Sequence, residues 1–87
     1  MNYRVIWSPR AEAQLAAVWT AAPNRNDVSV MADLLERSIG SDPFRVGRWR
    51  ASSVNRVVTA SPLGLLFDIV EDDKKVIVQA LWFVPDR

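Results

Sequence analysis

The chain of 87 residues contains no cysteine and no histidine. The first absence excludes disulfides and thiolate metal sites. The second removes the commonest general base and metal ligand, and with it every catalytic triad that needs one. Neither a metal nor a cofactor is expected. Tyrosine occurs once; Tyr3 sits in an N-terminal strand pattern and reads as a structural residue. No apolar run approaches the ~20 residues of a membrane span. The first residues also lack the basic start and long apolar core of a secretory signal. A cytoplasmic protein without membrane contact is expected. Net charge is small as well, +1, so composition alone does not announce a nucleic-acid binder.

What is present is ordinary for a globular chain: 49% hydrophobic and 24% charged residues. The length suits one domain spanning residues 1–87. A chain this short buries a limited share of its surface, so a partner that binds the folded state adds usefully to its stability. The small net charge hides an uneven distribution. Between Ser41 and Arg56 stand Arg45, Arg48, Arg50 and Arg56 against the single acid Asp42, whereas acids outnumber bases from Val57 onward.

The pattern predicts a strand over Tyr3–Trp7, rich in β-branched and aromatic residues. Ser8-Pro9 is a helix start, with a serine N-cap and proline at the first helical position. Ala11, Leu15, Val18, Trp19 and Ala22 recur at helical spacing until Pro23. Asn24 or Asn26 caps a second helix, whose apolar stripe is Val28, Met31, Ala32, Leu35 and Ile39. Gly40 suits the left-handed position that ends it. Ser41–Val54 reads as loop. Three strands follow, over Asn55–Ser61, Leu65–Glu71 and Lys75–Val84.

A two-residue turn at Asp72-Asp73 would set Glu71 opposite Lys74, an opposite-charge pair. One hairpin face then carries Leu65, Phe67, Ile69, Val76, Val78, Ala80 and Trp82 and packs on the helices. The other is mixed, with Leu66, Asp68, Val70, Lys75, Ile77, Gln79, Leu81 and Phe83; Asp68 and Gln79 are near diagonal neighbours. The expected fold is α+β: an N-terminal strand, an αα-hairpin, then a three-stranded antiparallel meander packed on the helices.

Four groups of residues carry possible chemistry. Arg45, Arg48, Arg50 and Arg56, with Trp49 among them, combine paired N–H donors for phosphate with a ring that can stack on a base. The alternative is a solvated loop with the tryptophan folded onto the core. Asp68 interrupts an apolar strand, and must face solvent or find donors; a general base partnered by Arg56 is the functional reading. Trp7, Trp19 and Trp82 lie on apolar stripes and read as core. Leu81 and Phe83, on the mixed face, form a patch suited to a protein partner.

The order strand, helix, helix, three strands, closed by Pro62-Leu-Gly-Leu-Leu-Phe67 and the hairpin after it, resembles the RelE/ParE superfamily of bacterial type II toxins. The resemblance spans nearly the whole chain. It implies a growth-inhibiting toxin neutralised by a cognate antitoxin, of the kind also linked to plasmid stabilization. Its implied target is DNA gyrase or the translation machinery. Arg48, Arg50 and Arg56 match the family's basic residues. The alternatives are a ribosome-dependent mRNA endonuclease of the RelE type, with Arg56 and Asp68 as its catalytic pair, and a degenerate member that only binds a protein partner. The segment Trp82–Arg87 holds no tyrosine or histidine for the acid–base role of the nucleases, which favours a gyrase-binding toxin or the degenerate member over the nuclease.

Overall fold

A computed structural model describes residues 2–49 and 55–85; Arg48 and Trp49 enter by their backbone pairing alone. The elements are β1 (Arg4–Trp7), α1 (Pro9–Ala21), α2 (Arg25–Ser41), β2 (Arg48–Trp49), β3 (Asn55–Ala60), β4 (Leu63–Val70) and β5 (Lys75–Phe83). They form a five-stranded sheet in the order β1-β5-β4-β3-β2. The meander β3-β4-β5 is antiparallel as expected. β1 joins its far edge parallel to β5, Val5 opposite Val76, and β2 pairs with β3 where the sequence reads as loop.

Both helices begin as their sequences dictate. Ser8 Oγ accepts the Ala11 N–H at 3.1 Å, with Pro9 next in line. Asn24, rather than Asn26, caps α2 by accepting the Asp27 N–H at 3.3 Å. Each side-chain oxygen satisfies a helix-end donor that has no partner within the helix. Val28, Ala32, Leu35 and Ile39 of α2 are buried against Leu65, Phe67, Ile69, Val76 and Val78 of the sheet.

Gly40 serves a different end from the one its type suggests. It lies inside α2, which runs on to Ser41. A Cβ at Gly40 would meet Val5 Cγ2 at 3.2 Å and the Tyr3 carbonyl oxygen at 3.3 Å, and its own carbonyl accepts the Tyr3 N–H at 2.7 Å. The glycine admits the first strand to the helix backbone.

The hairpin departs from expectation twice. Its loop has four residues, Glu71–Lys74, since Val70 pairs with Lys75. Lys74 donates its N–H to the Glu71 carbonyl at 3.1 Å and takes φ +50, the left-handed residue that closes a loop of this length. The Glu71–Lys74 ion pair does form.

Further along, Phe67 pairs with Val78 but Leu66 with Ala80, so Gln79 is an extra residue, a β-bulge that reverses the faces beyond it. Leu81 therefore turns into the core, at 3% exposure, and Trp82 turns out, at 36%. Both are the opposite of what strict alternation gives. The bulge is held by α1: Ser8 Oγ donates to the Gln79 carbonyl at 3.4 Å and Gln14 Oε1 accepts the Leu81 N–H at 2.8 Å. Trp82 now covers the opposing Gly64, where a Cβ would sit 2.5 Å from the indole.

Candidate functional site

The arginine-rich segment is drawn together by the β2–β3 pairing, which sets Arg48 opposite Val57 and Trp49 opposite Arg56. Its arginines divide into unlike kinds. Arg45 projects from the turn after α2 with its side chain 87% exposed, in a 3.4 Å ion pair with Asp42. Arg56 is 5% exposed. Its Nε donates to the Val46 carbonyl at 3.0 Å and one terminal nitrogen to the Gly47 carbonyl at 2.9 Å. A buried guanidinium needs such acceptors, and in return it fixes the backbone on which Arg45 and Arg48 stand. Gly47 is required there: it has φ +83, and a Cβ would lie 2.5 Å from the Val57 carbonyl oxygen. Arg50 lies outside the described residues.

Asp68 belongs to the face of the sheet that the helices leave open. Its two carboxylate oxygens accept from Asn55 Nδ2 at 2.6 Å and Gln79 Nε2 at 3.0 Å. The row Asn55–Asp68–Gln79 is thus a polar stripe across three strands, with the bulge residue as one end. The Asp68–Gln79 proximity was legible in the sequence. The Arg56–Asp68 pairing is corrected by the register: Arg56 stands opposite Phe67 and Asn55 opposite Asp68, so adjacent residues of β3 send the two groups to opposite faces.

At the far end of the sheet the apolar patch also changes membership. Leu81 is core, while Phe83 is 41% exposed. Phe83 borders a hollow of about 580 Å³ shared with Pro23, Met31 and Pro62, and a smaller one shared with Val18 and Ala22.

Two features escaped the sequence pattern. One is the place of Tyr3, which joins the expected Glu71–Lys74 pair: it donates its hydroxyl to the carboxylate that Lys74 also engages, and the Lys74 ammonium lies 5.3 Å from the Tyr3 ring centroid. The Lys74 hydrogen bond, then that of Tyr3, holds the Glu71 carboxyl below its ordinary range. The bond to Glu71 raises both the Tyr3 hydroxyl and the Lys74 ammonium.

The other is a cleft of about 690 Å³ between α1 and α2, with Leu15, Ala16 and Ala32 as floor, Trp7 and Trp19 as walls and Glu12, Asp33 and Glu36 along the rim. Trp19 is 42% exposed, a correction to its reading as core. Its indole N–H donates to Ser29 Oγ at 3.1 Å, as that of Trp7 does to Glu36 Oε1 at 2.8 Å. Among the described residues no group of His, Cys, Asp and Glu is placed to hold a metal ion, and no helix is long and apolar enough to cross a membrane.

No family model matches the chain, and no curated protein matches it. Solved structures do. The RelBE2 toxin–antitoxin complex from Mycobacterium tuberculosis shares 14% identity, with 97% of this chain and 100% of that chain covered at TM-score 0.80. A chain of the chromosomal ParDE system of P. aeruginosa shares 16%, covering 95% and 97%, at 0.69. A mutant of the E. coli toxin RelE, solved with an antitoxin peptide, shares 15%, covering 99% and 87%, at 0.65. The chain has the RelE/ParE fold.

Proposed function

We propose that this chain, as a single domain over residues 1–87, is the toxin of a cytoplasmic type II toxin–antitoxin pair. In this reading a cognate antitoxin holds it inactive, and free it arrests growth by binding DNA gyrase or the translation machinery. The observation that carries the reading is the end-to-end sharing of one fold with chains solved in RelBE and ParDE systems, 97% of this chain in the first case. The exposed arginine of the 42–49 segment, and the arginines around it in sequence, supply the charge for an acidic target surface or a phosphate backbone.

Binding without chemistry is favoured over mRNA cleavage by the site's geometry. Asp68 has both oxygens engaged by amides, and Arg56 is buried on the other side of the sheet. No group near neutrality in its ordinary pKa replaces them, since histidine and cysteine are absent. The test is inducible expression in a bacterial host, with and without the product of an adjacent small open reading frame. Growth arrest relieved by that product is expected, with loss of supercoiling in a gyrase assay as the gyrase outcome. Codon-phased mRNA cuts in primer extension that vanish in Asp68→Asn would establish the nuclease instead. Normal growth on expression would sink the toxin reading.

A further inference from the structure

The cleft between α1 and α2 has a composition that selects its occupant. A contiguous apolar surface rimmed by charge marks an interaction site where a single exposed ring does not, and here two tryptophans face one groove with both indole N–H groups already satisfied, by Glu36 and Ser29. What the walls offer a visitor is therefore apolar ring surface above a floor of Leu15 and two alanines. The charged lining residues are all acidic: Glu12 from α1 and Asp33 and Glu36 from α2, with Arg25 standing just beyond them, against Trp19. The chain as a whole is slightly basic, at +1, so this is a local field. At one end the chain itself shows the chemistry the groove accepts: the Arg25 guanidinium lies 4.9 Å from the Trp19 ring centroid, a cation–π contact.

We infer that this cleft binds a protein segment with an apolar stripe flanked by lysine or arginine. Its apolar side chains would enter between Trp7 and Trp19, and its cations would meet Glu12, Asp33 and Glu36. The inference rests on the antitoxin reading above and deepens it: the recognition segment of the antitoxin is basic where it lies in this cleft. An acidic segment would bring like charges together at the rim, a cost that discriminates against wrong partners.

The experiment uses the full chain and two synthetic peptides, both designed as amphipathic helices with leucines at i, i+3, i+4 and i+7, one with lysine and the other with glutamate at the flanking positions. Binding is read by anisotropy of the labelled peptides. The lysine peptide is expected to bind, to weaken as salt rises from ~50 mM to ~500 mM, and to outcompete the glutamate peptide. In the triple variant Glu12→Gln, Asp33→Asn, Glu36→Gln, affinity for the lysine peptide should fall about tenfold or more at low salt. The amide oxygen that Glu36→Gln leaves in place can still accept the Trp7 N–H, and all three positions are exposed, so the fold is retained. Neutralising Asp72 and Asp73 in the distant turn should leave binding unchanged. Equal binding of both peptides, no binding of the lysine peptide, or an undiminished affinity in the triple variant would overturn the inference. Growth rescue by the adjacent gene product alongside such a result would leave the antitoxin reading standing; absence of growth arrest on expression would remove that reading whatever the peptides do.

Discussion

The segment from Asp42 to Arg56 and the cleft between α1 and α2 carry opposite charge and are built in opposite ways. The first is contiguous in sequence, and its basic character is visible in a short window. Yet one of its arginines is held inside the fold, clasping the carbonyls of Val46 and Gly47. The acidic rim of the second is assembled from residues far apart in the chain, Glu12 with Asp33 and Glu36, and no window of sequence contains it. Charge counted along the chain overstates the first region and misses the second. In the proposed function the two regions would do separate work, the arginines acting on the target and the cleft holding the partner that restrains them.

The largest expected effect splits the arginine segment itself. Arg56→Ala leaves the half-buried Val46 and Gly47 carbonyls short of their donor and should cost about 2–3 kcal/mol, hydrogen bonds to a charged group being the stronger kind. Arg45→Ala, at a highly exposed position, should change stability by no more than ~0.5 kcal/mol. Thermal unfolding of the two variants compares them directly. Equal melting temperatures would mean that Arg56 is as dispensable to the fold as its neighbour.

Next in size is Ser8→Ala, which removes both the α1 cap and the hydroxyl that holds the bulge carbonyl; a loss of about 1 kcal/mol is expected. Because α1 is one wall of the cleft, hydrogen exchange should quicken in its first turn and at Leu81, while β3 keeps its protection. Uniform quickening would show that the two regions are not separable.

The helix stripes were legible because a period of 3.6 survives in any short window. The positions Val28, Ala32, Leu35 and Ile39 are buried as their spacing requires. The order of the last three strands was legible for a similar reason, since alternation and turn residues are local. The exchange of Leu81 and Trp82 was not, because one inserted residue at Gln79 reverses every side chain beyond it and nothing in the strand's composition marks the insertion. Arg56 defeated the reading differently. A charged residue in a strand is taken for surface, and only the β2–β3 pairing brings two carbonyls back to meet it. For Asp68 the sequence left solvent or donors open; the structure supplies donors, and of these Gln79 was in view as a diagonal neighbour, while Asn55 came with the cross-strand register. The cleft required the angle between two helices, which periodicity does not supply.

The smallest expected effect lies outside both regions and serves as the control. The Glu71 carboxyl is held below its ordinary range in the folded chain by Lys74 and Tyr3. Its contribution to stability is therefore complete above the ordinary carboxylate pKa and is lost as pH falls through the lower folded value. Glu71→Gln should flatten the acid limb of the stability curve below about pH 4.3 and change neither growth arrest nor partner binding. An unaltered acid limb would show that the exposed triad contributes nothing measurable.

The division of labour is tested most directly by a growth assay on two variants, each expressed with and without the adjacent gene's product. The variant Glu12→Gln, Asp33→Asn, Glu36→Gln is expected to arrest growth like the parent but to be no longer rescued by that product. The variant Arg45→Ala, Arg48→Ala, Arg50→Ala is expected no longer to arrest growth yet still to capture the product on co-purification. Full rescue of the first variant, or undiminished arrest by the second, would contradict that division.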